Sequence, residues 1–213
     1  MRASTRLATV VCLLVIVAAA TSAQAVVIFS NFGPFNAFGD SGRLVQGPDV
    51  NTIGDVDQAV KFTVGAGSPF DLTSATLGIH AVSSPAPGTG PVSVQLATDT
   101  NGVPGAVLAA TTVNVNATGK QTITANFGGL QQLNANTSYW VIMDGEGTFD
   151  GSWNFNSIGD MGPTAGRSDG FPWNLRPDDT RMALRVEGNV VPEPSALGLV
   201  ATAAVALLRR RSA

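Results

Sequence analysis

Cysteine, histidine and charge are all scarce here: the 213 residues include one Cys, one His and only 13% charged side chains. With Cys12 alone, no disulfide can form within the chain, so stability has to come from burial. With His80 alone, a His-rich zinc site is excluded, and neither a G-x-S-x-G nor an H-E-x-x-H pattern offers a hydrolase. Acidic residues fall mostly in expected loops, with no pair set apart as a glycosidase acid and base. No catalytic residue is therefore assigned, and the expectation is a protein that is not an enzyme. Leucine-rich helical periodicity is also missing from the middle of the chain, which argues against a helical domain.

What charge there is has one sign where it matters. Between Val26 and Val191 seven Lys and Arg face fourteen Asp and Glu, a net charge of −7 that the whole-chain value of −3 conceals. The difference arises because five arginines sit near the two ends. An acidic surface repels phosphate backbones, so nucleic acid is not expected as a partner.

The two ends carry the clearest signals. Arg2 and Arg6 precede an apolar stretch from Leu7 to Ala20, and Ala23-Gln24-Ala25 has the small-x-small form that signal peptidase cuts after. Residues 1–25 are therefore expected to be a secretory signal peptide. Cys12 follows Val10-Val11 inside the apolar stretch, where a lipidation site needs a small residue before the cysteine, so lipidation is rejected. At the other end Val191-Pro192-Glu193-Pro194-Ser195 leads into an uncharged run to Leu208 and then Arg209-Arg210-Arg211. The prolines lack an amide hydrogen and hold the tag extended, and residues 188–194 are expected to be a linker that carries it. Ser195 caps the apolar helix expected over residues 195–208. At about 1.5 Å per residue the run from Ala196 covers roughly 20 Å, short of a bilayer core of roughly 30 Å, a deficit that arginine snorkelling and bilayer thinning relieve. Residues 209–213 form a basic cytoplasmic end under the positive-inside rule, which places the preceding chain outside the inner membrane.

This order of Pro-Glu-Pro tag, hydrophobic helix and arginine cluster resembles the PEP-CTERM sorting signal of Gram-negative bacteria. The resemblance implies export to the cell surface or extracellular matrix. It also implies signal peptidase and an exosortase, a membrane protease thought to cut near the tag, as partners. Pro192, Glu193 and Pro194 would then be recognised as substrate. PEP-CTERM proteins tend to accompany exopolysaccharide production, so an extracellular polysaccharide is the implied environment.

Residues 26–187 are rich in Gly, Thr, Asn, Val and Pro, and short alternating runs are separated by turn residues. In Gln58 to Val64, Val60, Phe62 and Val64 fall on one side and Ala59, Lys61 and Thr63 on the other. Leu72 to Val82, Val92 to Thr98, Val107 to Val115, Gln121 to Phe127, Tyr139 to Asp144 and Arg181 to Glu187 behave alike. Asn101-Gly102 and Gly128-Gly129 read as turns between them. The expected fold is all-β, an antiparallel two-sheet β-sandwich with a jelly roll as the rival topology. Asn31-Phe32-Gly33-Pro34, the Ala59 to Thr63 strand, Asp99 to Gly105 and Leu133 to Trp140 resemble the bacterial choice-of-anchor domains, closest to their R group. That resemblance implies an extracellular β-domain and no activity.

Two binding chemistries deserve positions. Asp49, Asn51, Asp55 and Asp57 begin like an EF-hand loop with Gly54 at the sixth place, but Ile53 at the fifth and Val60 at the twelfth deny it the closing acid. A looser calcium site in this loop, or one using Asp144, Glu146 and Asp150, is the metal expectation; no other cofactor is expected. Trp153 and Trp173, with Phe155 and Phe171, lie in a Gly- and Asn-rich stretch and are the candidate sugar contacts. Trp140, inside Tyr139 to Met143, reads as core, and His80 is expected to face solvent.

Overall fold

The computed structural model describes residues 25–50, 54–82, 88–169 and 171–191, without the side chain of residue 130. Ala23, Asn51, the tail residues Pro192, Glu193, Pro194, Ser195, Arg209, Arg210 and Arg211, and the expected C-terminal helix lie outside the described residues. Among the described residues no helix is long and apolar enough to cross a membrane.

Twelve strands follow one another: β1 (Val26–Ser30), β2 (Phe38–Gln46), β3 (Val56–Thr63), β4 (Phe70–Ala81), β5 (Gly90–Thr100) and β6 (Val103–Val115), then β7 (Gly119–Leu133), β8 (Ser138–Gly145), β9 (Asp150–Asn156), β10 (Met161–Ser168), β11 (Asn174–Thr180) and β12 (Leu184–Val190). Every ladder is antiparallel. All seven strands expected from alternation are present. They belong to one curled sheet that runs β1-β12-β4-β9-β2-β3-β8-β5-β6, with β7 against β4, β10 against β3 and β11 against β10. The curl comes from strands that hold two partners along one edge. β4 pairs β12 through residues Phe70 to Leu77 and β9 through Ile79 to Ala81, and its other edge is taken by β7. The β9–β2 pair then carries the sheet round to β3.

Inside the curl, side chains from both halves form one apolar core. Leu72, Leu77, Ile79 and Leu184 come from the β4 half, and Val60, Phe62, Val94, Leu96 and Met143 come from the β3 half. The Val60, Phe62 and Val64 side of β3 faces inward, as the alternation requires. Its other side is not open to water. Ala59, Ala97, Trp140, Ile142 and Ala165 make a second, smaller buried cluster on the outer face of β10-β3-β8-β5, and Trp173 packs against it.

One expectation changes here. Gly128 and Gly129 do not end a strand; both take positive φ, 69° and 73°, inside β7, where the ladder with β4 slips between Leu72 and Ser74. Glycine tolerates that geometry, so the pair bends a continuous strand. The Gly- and Asn-rich stretch holding the candidate sugar contacts forms β9, β10 and the start of β11, with Trp153 on β9 and Trp173 just before β11. Asn101-Gly102 is the hairpin turn expected, with φ of 55° and 86° joining β5 to β6.

Asn31, in the segment that follows β1, is 1% exposed and ties the start of the domain to its last strand. Its amide nitrogen donates to Met182 O at 3.0 Å and Asp160 Oδ2 at 3.2 Å, and its Oδ1 accepts from Leu184 N at 2.7 Å. Asn31→Ala leaves a buried N–H and a buried carbonyl without partners, and is expected to cost about 2 kcal/mol in urea unfolding. A loss below about 0.5 kcal/mol would show that water replaces the amide at no cost.

Candidate functional site

Among the described residues, a group of three carboxyls close enough to share a cation lies on the outer face of β10, β3, β8 and β5, at the end beyond the second cluster. Sheet register builds it. Arg167 on β10 stands opposite Asp57 on β3, and Asp144 on β8 stands opposite Ser93 on β5. Because Gln58 pairs with Met143, the same register brings Asp57 across from Asp144. Alternation puts these side chains on the face that carries Ala59 and Ile142 two residues along. Asp55, just before β3, joins them, and ligand oxygens of Asp55, Asp57 and Asp144 lie within 4.8 Å of one another.

Two like charges directly across a ladder repel, so the site needs compensation. Arg167 supplies part of it: its Nε donates to Asp57 Oδ2 at 2.5 Å, and its guanidinium lies 4.6 Å from the centre of the Trp173 ring. Gln95 donates to Asp144 Oδ2 at 2.9 Å and to Ser93 Oγ at 3.2 Å. The remaining demand is unmet. Asp57 is 2% exposed, yet its Oδ1 has no hydrogen-bond partner, and neither has the buried Oδ1 of Asp55. Burial, reinforced by the Asp57 and Asp55 charges, pushes the Asp144 carboxyl up to about 7. Burial and then the Asp57 charge push Asp55 up to about 6. Such a group can do two things: share protons among carboxyls, or hold a cation that prefers oxygen.

The sequence-assigned residues divide accordingly. Asp55 and Asp57 meet, and Asp144 joins them from the second acidic segment; the loop and the strand were separate candidates in the sequence. Asp49 stays apart, exposed in a turn where its backbone N–H donates to Gly147 O at 3.0 Å, and Asn51 is outside the described residues. Arg167 and Gln95 were not singled out, and only the register of three ladders identifies them as neighbours of the acids.

Trp153 is corrected as a sugar contact. It is fully buried between β4 and β2, and its indole N–H donates to Ala183 O at 2.8 Å, so it presents no face to a saccharide. Trp173 is half-buried, with Arg167 stacked on its ring. Phe171 is 71% exposed. Trp140 is core, as read from the sequence; it is fully buried and donates to Asp99 Oδ1 at 2.8 Å, while Lys61 bonds the other oxygen of Asp99 at 2.7 Å. His80 is half-buried rather than open to solvent, because β7 and β9 flank its strand; it stands opposite Lys120 and Ser152. The Ser152 hydroxyl is directed at Asn154 Oδ1, 2.7 Å away, and Asp40 accepts from Lys120.

No family model matches this chain, and a search of curated proteins finds no match to it.

Proposed function

We propose that this chain is an exported surface or matrix protein of a Gram-negative bacterium, sorted by its C-terminal segment and displaying a β-domain that does no catalysis. The observation that carries the reading is the order of three parts in the tail: the Val191 to Ser195 tag, the uncharged run to Leu208 and Arg209-Arg210-Arg211. The Arg2, Arg6 and Ala23-Gln24-Ala25 leader supports the same direction of travel. Signal peptidase and an exosortase-type protease act on the chain, and the inner membrane holds it in transit. The β-domain serves a structural or adhesive role beside extracellular polysaccharide. Its curled sheet is, in this reading, a β-sandwich of the choice-of-anchor kind, with the β4 and β3 halves as its two layers.

A second reading, a secreted calcium- or carbohydrate-binding module, is favoured by the convergence of Asp55, Asp57 and Asp144. The two readings are compatible, since a displayed domain can hold a ligand.

The test of sorting is direct. The full chain, expressed in a bacterium with an exosortase, is expected to lose the mass of the leader and of the segment beyond the tag. Replacing Pro192, Glu193 and Pro194 by alanine should leave the tail attached and the protein in the membrane fraction. Identical processing with and without the tag would end the proposal.

A further inference from the structure

We infer that Asp55, Asp57 and Asp144 bind one calcium ion on the outer face of β3 and β8. The acidic cluster alone would not support this; the state of Asp57 does. A carboxylate that is 2% exposed and has one oxygen that accepts from no N–H or hydroxyl, with only the neighbouring carboxyl of Asp144 in hydrogen-bonding reach, carries a large desolvation cost. That oxygen belongs to a group whose neighbours are also carboxylates, within 4.8 Å. Its other oxygen is fixed by Arg167, which is itself stacked on Trp173, so the side chain is held by one end. With their ligand oxygens within 4.8 Å of one another, the three carboxyls enclose a space that a cation or a shared proton would satisfy.

The surrounding charge favours the cation. Asp169 follows β10, its backbone N–H donates to Asp55 O at 2.8 Å, and its exposed side chain adds negative charge on the Asp55 side of the group, against the one guanidinium bonded to it, that of Arg167. Gln95 holds Asp144 through one oxygen. The donor set is oxygen only, which selects a hard cation over zinc or copper. Its members come from β8, β3 and the coil before β3, in an irregular geometry. Calcium accepts variable coordination at 2.3–2.6 Å, whereas magnesium demands a near-ideal octahedron and dehydrates reluctantly. Asp55 and Asp144 are only half-buried, which leaves water to complete the shell. A site of this kind belongs to the weak range of calcium affinities, about 10⁻⁴ to 10⁻³ M. The inference stands on the β-domain alone and does not require the sorting proposal.

The test uses the full chain, stripped with EDTA and returned to chelator-free buffer at pH 8, with calcium chloride as the probe. Thermal unfolding is expected to rise by roughly 3–6 °C at ten times the dissociation constant, above any change from sodium chloride at equal ionic strength. Terbium, excited through the tryptophans, should luminesce and be displaced by calcium. Asp144→Asn keeps the hydrogen bond from Gln95 and should remove both responses. Asp178→Asn, at an exposed acid outside the group, should keep them. No calcium-specific shift in the parent chain, or an undiminished one in Asp144→Asn, would overturn the inference. A magnesium shift as large as that of calcium would overturn the assignment of the ion.

Discussion

Trp153→Ala is expected to cost about 4 kcal/mol of unfolding free energy, the largest effect of any single side-chain truncation in this domain. The indole is fully buried, and its position in the ladders explains the size of the loss. Trp153 pairs with Arg43 on β2 on one side and Ile79 on β4 on the other, so it sits on the seam that joins the two halves of the sheet. Truncation leaves a cavity there and removes the indole N–H that donates to Ala183 O at 2.8 Å, leaving that carbonyl with the Gly78 N–H at 3.2 Å. Trp153→Phe fills most of the volume and loses mainly the hydrogen bond, so about half the cost is expected. In urea the midpoint should fall with the slope unchanged. A cost below about 1 kcal/mol for the alanine variant would mean that the seam repacks freely, and would reopen the ring to ligand contact.

Arg167→Ala is the second. The guanidinium is the only cation bonded to the Asp55, Asp57 and Asp144 group among the described residues, and Asp57 has almost no access to water. Removing one partner of a pair whose acid is buried costs about 3 kcal/mol when the charge left behind has no substitute. The loss should be smaller in the double variant with Asp57→Asn, because the stranded charge is then absent. Metal-free protein also acquires a pH dependence from the same group. The folded chain takes up protons on Asp144 at about 7 and on Asp55 at about 6, while the unfolded chain takes them up near 3.8. Between those limits the folded state binds more protons, so stability falls as pH rises. The gain is complete below about 4 and gone above about 8. Both groups are partly exposed, and after screening about 1–2 kcal/mol is expected between pH 5 and pH 8. Asp144→Asn should flatten this slope. A metal-free protein equally stable at the two pH values, or an Arg167→Ala variant within about 0.5 kcal/mol of the parent, would remove the electrostatic account of the site.

The strands that the sequence made legible are those whose side chains alternate cleanly. β3 is the plainest case, with Val60 and Phe62 inward. β1, β2, β9, β10 and β11 were not among them, and the residues of β2 and β11 show one reason. Phe38–Gln46 begins with Phe-Gly-Asp-Ser-Gly, and Asn174–Thr180 contains Pro177 and two aspartates while remaining mostly exposed. Residues with little strand preference of their own become strand because a partner's open edge pairs with them. β11 does so as the outermost strand, where proline is tolerated. Trp153 and Trp173 were grouped by composition, but pairing separates them. One is locked in the seam and the other covers the second cluster.

By itself the sequence determined the class of the domain, its acidic sign, the absence of a disulfide and the two terminal patterns from which export is proposed. These properties depend on composition and on spacings within about twenty residues, which a linear reading contains. Tertiary structure decided which acids meet. Asp57 and Asp144 are 87 positions apart in the numbering and become neighbours only because Gln58 faces Met143 in the ladder between β3 and β8. A slip of one residue in that ladder would turn one of them toward the core. Register is fixed by the burial of Val60 against Val141 on the opposite face, so it is the hydrophobic core that sets the geometry of the charged site.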